Sequence, residues 1–362
     1  SGSFRGICSK RGLKFFSGRP FNQGRLTGLL KGLEVSIIRS SDLPNENPKL
    51  RLDAQFQNQP ALTAIQRISS MKHLRLSDLT QRPLKGKSIS YSELGDFPVI
   101  RSGDISNSFQ PDQLLRSSDW ANAFFVREND ILISSIGQGS IGKVQLFRSV
   151  GDFATVPEVT VVRVSGYSAA CAAAFLASRF GQAQIERYIT GATGQLHLYA
   201  NDVDRIVLPD FHANFQARIS RIYDQQAIEY GASQSSQGRA EGELLDRLGL
   251  RGWAAPQPLT FQASSNSVLR AGRIDAQYFR PLFSEVEARI AATDAARELG
   301  SILTTNVRGR QPDYAEAGLP VINSKHVRTN RVILSDNRCA TQKDAAVQIE
   351  SGDVLVNGTG EG

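Results

Sequence analysis

Residues Asn214 to Leu248 read NFQARISRIYDQQAIEYGASQSSQGRAEGELLDRL, and the chain before this stretch starts again after it. RLDAQF occupies Arg51 to Phe56 and RIDAQY occupies Arg273 to Tyr278, a shift of 222 residues from 51 to 273. The same shift carries FPVIRSGDI, beginning at Phe97, onto LPVINSKHV, beginning at Leu319. One residue of slippage later, DILISSIGQG (Asp130 to Gly139) falls on DVLVNGTGEG (Asp353 to Gly362), a shift of 223 from 130 to 353. Blocks in one order at nearly one offset are the mark of an internal duplication. The expected fold is therefore α/β, with two tandem modules of mixed α/β structure joined by a long helix and the second module incomplete within 362 residues.

The joining stretch places Phe215, Ile219 and Ile222 on one helical face and Leu244, Leu245 and Leu248 at its far end. Between them Gly231, Gly238, Gly242, Ser233, Ser235 and Ser236 weaken the helix, each glycine by about 1 kcal/mol against alanine. Two readings follow: one continuous helix packed on another element, or a break near Gly231.

Outward from this stretch, five segments are expected. Residues 1–33 form a basic, flexible leader, 34–212 the first domain, 213–249 the spacer helix, 250–272 a linker, and 273–362 the partial second domain. In the first domain, Leu33 to Leu43 reads as strand and turn, and Pro60 to Ile68 as a helix with proline in its first turn. A loop carrying Arg82, Lys85 and Lys87 precedes a strand at Pro98 to Ile100. Glu128 to Ile136 and Lys143 to Phe147 form a hairpin, and Val159 to Val164 is a β-branched strand. Ser168 to Ile189 has helical period with Gly181 as its interruption, and Val203 to Leu208 is a closing strand. In the second domain, Arg273 to Ile290 is expected to carry an amphipathic helix, Ile302 to Asp313 a basic loop, and Leu319 to Val327 a strand.

Composition is ordinary for a globular chain. The longest apolar run, near Ala169 to Ala177, is too short to span a bilayer, and no segment has the layout of a secretory signal, which points to the cytoplasm and away from a membrane. Cys8, Cys171 and Cys339 are far apart and suggest neither a disulfide framework nor a metal knuckle. The net charge of +7 is concentrated, because Arg5, Lys10, Arg11, Lys14, Arg19, Arg25 and Lys31 all precede the first acid, Glu34. Beyond residue 31 the chain is neutral overall, so any binding of DNA there needs local patches. The leader itself is either an arm touching phosphates or a disordered extension.

Gly137 to Gly142, GQGSIG, matches the GxGxxG dinucleotide pattern, but KVQLF after it alternates like a strand where a helix should open. A glycine-rich hairpin loop fits better. No GxxxxGK[ST], HExxH or Asx-Pro-Pro-aromatic motif occurs, and His73, His197, His212 and His326 lack ligand spacing, so no catalytic, cofactor or metal residue is assigned. What remains are polar and basic loops after strands in both copies. In the first copy these carry Arg101, Ser102, Asp104 and Asn107, then Gln138, Ser140 and Lys143, then Gln195 and His197. In the second they carry Arg308, Arg310 and Gln311, then Asn323, Lys325, His326 and Arg328. Arg and Lys reach guanine O6 and N7, Gln and Asn pair with adenine, and Asp accepts from cytosine N4. The alternative for each residue is a solvated polar loop.

RLDAQF and RIDAQYF opening each half, FPVIRSGDI and GLPVINSKHV after a basic loop, NDILISSIGQGSIGK, and SRFGQAQIERYITGATGQLHLYANDVDRIVLPDF leading into the long stretch together resemble the specificity subunit of a type I restriction-modification system, over about residues 44 to 362. The resemblance implies two target-recognition domains, each reading one half of a bipartite site in double-stranded DNA, with helical regions between them that dock methyltransferase subunits. It also implies a non-catalytic chain that holds no cofactor. S-adenosylmethionine then belongs to the modification subunits and ATP to a restriction or translocase subunit, within a phage-defence complex. Members of that family carry a second long helix, whose start the repeat offset puts beyond Gly362. The rival from another class is a non-catalytic protein-interaction scaffold in a defence or signalling assembly.

Overall fold

The computed structural model describes residues 51–358 apart from 52, 81–82, 106–113, 138, 192–195, 255–256, 294–295, 329–330, 335–336 and 342–346. It also describes the strands at 5–9, 12–16 and 36–39 as backbone, and Arg331 likewise. The chain divides into two compact units, Ser1–Gln237 and Gly238–Gly362.

In the first unit the strands β1 (Arg5–Ser9), β2 (Gly12–Phe16) and β3 (Ser36–Arg39) form an antiparallel sheet in the order β2-β1-β3. The stretch expected to be a flexible leader thus pairs with the first strand expected of the domain. Leu13 and Phe15, on either side of Lys14, have the period of two of a strand.

The body of this unit opens with α1 (Gln59–Ser69), whose cap is Asn58, accepting from the Ala61 N–H at 2.8 Å. Two four-stranded sheets follow. One has the antiparallel order β10 (Val144–Leu146), β9 (Ile131–Ser134), β12 (Val159–Val162), β5 (Leu84–Lys85). The other runs β7 (Leu115–Ser117), β6 (Phe97–Ile100), β11 (Phe153–Thr155), β8 (Phe125–Val126), with a parallel pairing of Val99 and Ala154. Every residue of β9 and β12 is buried, as expected of strands covered on both faces. Ile131 and Ile133 belong to a cluster with Leu176, Ile185 and Leu198, while Leu132 joins Phe97, Val99 and Phe153 in a second cluster.

The expected helix 168–189 is two helices, α2 (Ala169–Ala177) and α3 (Arg179–Tyr188). The break lies at Ser178, not at Gly181. Ser178 ends one helix and caps the next, its hydroxyl accepting from the Gly181 N–H at 3.4 Å. Gly181 is instead a close approach, where a Cβ would stand 2.3 Å from the Phe175 carbonyl oxygen. The expected strand 203–208 is replaced by a short helix, Ala200–Val203, and the strand β13 (Val207–Pro209), which pairs with β4 (His73–Arg75).

The joining stretch is one helix, α4 (Ala213–Arg247), of 35 residues with no break at Gly231. Its first turns rest on the unit: Gln216 accepts from the Ser168 N–H at 2.7 Å, Ser220 meets the Ser168 hydroxyl at 2.7 Å, and Arg148 donates to Asp224 at 2.6 Å. The helix ends in a Schellman arrangement, Leu250 N–H to Leu245 O at 2.8 Å and Gly249 N–H to Asp246 O at 3.1 Å.

The second unit repeats the small devices of the first. The helix α5 (Pro281–Ala291) stands 222 residues after α1, end for end, so the amphipathic helix expected from Arg273 starts eight residues later. The strand pairing of Phe97 with Ser117 and Pro98 with Arg116 returns as Leu319 with Ala340 and Pro320 with Cys339. The one-residue slip therefore lies between Pro320 and Cys339. The expected strand Leu319 to Val327 is interrupted by a 3-10 turn at Ser324–His326, matching Ser102–Asp104. Among the described residues of this unit, Ala340 is the buried apolar side chain and His326 the buried polar one.

Candidate nucleic-acid interface

The first group of expected contacts is built on a turn. Arg101 donates its backbone N–H to Asp104 at 2.8 Å, and its guanidinium grips the same carboxylate at 3.0 and 3.1 Å. That hydrogen bond to Asp104 raises the already high Arg101 pKa, so the guanidinium stays charged while 43% of the side chain remains exposed. Asp104 is thus occupied in shaping the turn, and Arg101 and Ser102 are its outward members.

The second group sits on the hairpin between β9 and β10, where Leu132 pairs with Gln145. No helix opens after GQGSIG, so the hairpin reading holds over the dinucleotide one. Gly137 (φ 122°), Gly139 and Gly142 take left-handed backbone, the Ile141 N–H returns to Gly137 O at 3.2 Å and the Lys143 N–H to Ser140 O at 3.2 Å. A Cβ on Gly137 would stand 2.8 Å from the Ser140 hydroxyl and 3.6 Å from that of Ser102, which places the two loops side by side. Lys143 is exposed beside them.

The third group joins the same edge. Ile136 bridges to His197, the Leu198 N–H donates to Ser135 O at 2.8 Å, and His197 exchanges backbone hydrogen bonds with Thr190 at 2.8 and 2.9 Å. Asn107, Gln138 and Gln195 lie outside the described residues. Arg101, Ser102, Ser140, Lys143 and His197, from three separate stretches of sequence, are therefore brought to one edge of the β9–β10–β12 sheet.

Two aromatic side chains belong here that motif reading passed over. Tyr199, half exposed, stacks on His197 with ring centroids 6.0 Å apart and planes 16° from parallel. Tyr91, also half exposed, has its pKa raised by partial burial, against the opposing charge of Arg101. Burial lowers the Lys85 pKa, against the opposing pull of Glu158. The available signal was the interleaving of basic and aromatic residues in QLHLY.

In the second unit the turn is rebuilt with different letters. The Asn323 N–H donates to His326 Nδ1 at 2.9 Å, as Arg101 does to Asp104, and the backbone angles before the turn agree, φ −106° against −102°. His326 was expected at a base edge, yet it is only 2% exposed. Its ring shapes the turn from inside, which leaves Lys325 and Arg328 as the exposed members of that group. Asn357 donates to Ser324 O at 3.3 Å, bringing the 353–358 segment to this turn as the Gly137 loop comes to Ser102. Arg308, Arg310 and Gln311 are exposed on a loop without helix or strand. Among the described residues no group of three or more His, Cys, Asp and Glu is placed to hold a metal ion, and no helix is long and apolar enough to cross a membrane.

No family model matches the chain, and no curated protein matches it. Solved structures do. The chain is similar to the S subunit of a type I restriction-modification system from M. genitalium, at 19% identity and a TM-score of 0.36 over 49% of this chain and 45% of that one. It is similar to a chain of a type I R-M complex at 17% identity and a TM-score of 0.34, and to the HsdS subunit of Thermoanaerobacter tengcongensis at 16% and 0.32, each over 66% of this chain and 59% of the other. The chain thus spans roughly half of the length of these structures.

Proposed function

We propose that the chain is the sequence-reading subunit of a type I restriction-modification or related phage-defence complex, that each unit reads one half of a bipartite site in double-stranded DNA, and that covalent chemistry belongs to partner subunits. The observation that carries this reading is the edge on which Arg101, Ser102, Ser140, Lys143 and His197 meet, together with the repetition of its turn at Asn323–His326. Exposed Arg and Lys on backbone held close by glycine suit base edges and phosphates alike.

The helix Ala213–Arg247 is about 50 Å long at 1.5 Å per residue, against roughly 34 to 36 Å for a turn of B-DNA. In this reading it sets the distance between half-sites and offers the docking face for methyltransferase subunits, which would hold S-adenosylmethionine, with ATP on a restriction or translocase subunit. Deleting seven residues within it should change the preferred spacer; an unaltered bipartite motif would remove the ruler from the proposal.

Titration of random-sequence duplex with the purified chain across salt concentrations is the primary test, since phosphate contacts give affinity that falls steeply with salt. Lys143→Ala or Arg101→Ala should then relax one half-site only, each good base contact supplying about 1–3 kcal/mol of discrimination. Equal loss at both halves contradicts independent readers. The neutral balance of the chain beyond residue 31 favours the scaffold as second reading, and binding of duplex that is weak at every salt concentration would select it.

A further inference from the structure

Arginine meets carboxylate in two ways in this chain. Some pairs are local: Arg51 forks on Asp53, Nε to Oδ2 at 2.8 Å and Nη2 to Oδ1 at 2.9 Å, and also donates to Ile189 O at 3.1 Å, at the end of α3. Arg273 forks on Asp275 at 2.8 and 3.1 Å. Arg148 is of the other kind. Its Nη2 donates at 2.6 Å to Asp224, 76 residues away on α4, and its Nη1 donates to Glu128 at 3.5 Å.

Asp224 completes a stripe along α4, in which Gln216, Ile219, Ser220, Tyr223 and Asp224 recur at the helical spacing of three and four residues. Gln216 accepts from the Ser168 N–H and donates to Phe211 O, both at 2.7 Å. Ser220 meets the Ser168 hydroxyl, which also caps α2 by accepting from the Cys171 N–H at 3.1 Å. Ile219 and Tyr223 pack on the cluster that holds Leu176 and Ile185. Those contacts tie the start of the long helix to α2, and Arg148 ties it to a different element, the β9–β10 hairpin. That hairpin carries Gly137 to Lys143 at its closed end and Glu128 and Arg148 at its open end, where the Phe147 N–H donates to Asp130 O at 2.8 Å and the Asn129 N–H to Phe147 O at 2.9 Å. From Lys143 to Arg148 is about 17 Å along a strand, at roughly 3.3 Å per residue. A tilt of about 10° at the Arg148 end therefore moves the loop by about 3 Å, close to the ~3.4 Å step between base pairs. As a source of stability the pair is minor, because Asp224 and Glu128 are both more than half exposed and exposed ion pairs contribute little. What it contributes is orientation.

We propose that Arg148 is a positioning residue: bonded to Asp224, it sets the angle at which the hairpin bearing Ser140 and Lys143 is held on α4. Given the DNA-reading role proposed above, that angle decides which spacer lengths of a bipartite site the chain accepts. Arg148 itself touches no base in this scheme, since it stands at the end of the hairpin away from the loop.

The test has two arms, both on the full chain. In the first, spin labels on Leu94→Cys and Ser233→Cys, with Cys8, Cys171 and Cys339 replaced by alanine, report the distance between the body of the first unit and α4 by electron-electron resonance. One narrow distribution is expected. Arg148→Ala and Asp224→Ala should each widen it at least twofold, and the exchanged pair Arg148→Asp with Asp224→Arg should narrow it again. In the second arm, duplexes are selected from a random library by the chain with its native cysteines. Arg148→Ala should keep the letters of both half-sites and accept spacers one base pair longer or shorter, whereas a merely structural role would lower melting temperature and affinity with the spacer unchanged. A distribution that Arg148→Ala leaves unaltered, or a wider one with the same single spacer, overturns the proposal. An unaltered chain that selects no motif overturns the DNA reading instead, and the distance arm still decides whether Arg148 holds the hairpin.

Discussion

Ile131 and Ile133 in the first copy are fully buried, whereas Val354 and Val356, their counterparts at a shift of 223, are 87% and 85% exposed. Yet the turns that lead into both segments are alike: the Arg127 N–H donates to Asp130 at 2.8 Å, and the Glu350 N–H donates to Asp353 at 2.9 Å. The same contrast runs through the repeat. Forks, caps and 3-10 turns closed over two or three residues are reproduced from copy to copy, while burial is not. Local hydrogen bonds are fixed by the residues that make them. Burial needs a second surface, supplied in the first copy by β10, β12, α2 and α3, whose positions at the same offset all fall after residue 362.

That contrast can be broken by mutation. Ile133→Ala should cost about 3–4 kcal/mol by removing packed volume between β9 and the helices, whereas Val356→Ala should stay within about 0.5 kcal/mol; denaturant midpoints read both. Equal effects would mean that the two copies are packed alike. Asp130 is the next test, being 2% exposed and gripped by Arg163 at 2.7 and 3.0 Å. Its replacement by alanine should cost about 3 kcal/mol because the guanidinium loses its counter-charge, and Asp353→Ala should cost far less. At the level of the turns the copies should behave alike: Asp104→Ala and His326→Ala each remove one acceptor for a backbone N–H, with losses of about 1 kcal/mol expected in amide exchange at residues 101 and 323.

The smallest effect is in acid. At Asp275 the hydrogen bond from Arg273 holds the carboxyl below the ordinary range. At Asp53 burial pushes upward, but the Arg51 fork and the Phe56 N–H outweigh it, and the value again falls below that range. Both folded values are depressed, so the contribution is present above the unfolded value of about 3.9 and is lost as pH falls through the folded one. Carboxyl shifts in NMR should show both groups titrating below pH 3.9. Only at Asp53 should acid also loosen the end of α3, seen as faster exchange at residues 187–189, because only there does the fork hold a helix.

Much of this was legible in the residues. The duplication, the helix near Pro60, the β9–β10 hairpin and the long helix all follow from period, offset and turn chemistry. The break at Ser178 was misplaced onto Gly181, since a glycine weakens a helix on average but here serves a close contact with Phe175. The leader's strands were hidden by its charge. Within the candidate interface, residue types and loops could be named, but not that His326 turns inward or that Tyr199 stacks on His197.

By itself the sequence determined what is local: which residues cap, fork and turn, and that they do so twice, because such interactions close within a few residues of chain. Tertiary structure alone decided how the first copy covers those devices, which three loops share an edge, and that the Arg51 fork holds the end of α3. Those are contacts between residues as far apart as 51 and 189, or 102 and 137, and no period or spacing encodes which surfaces meet.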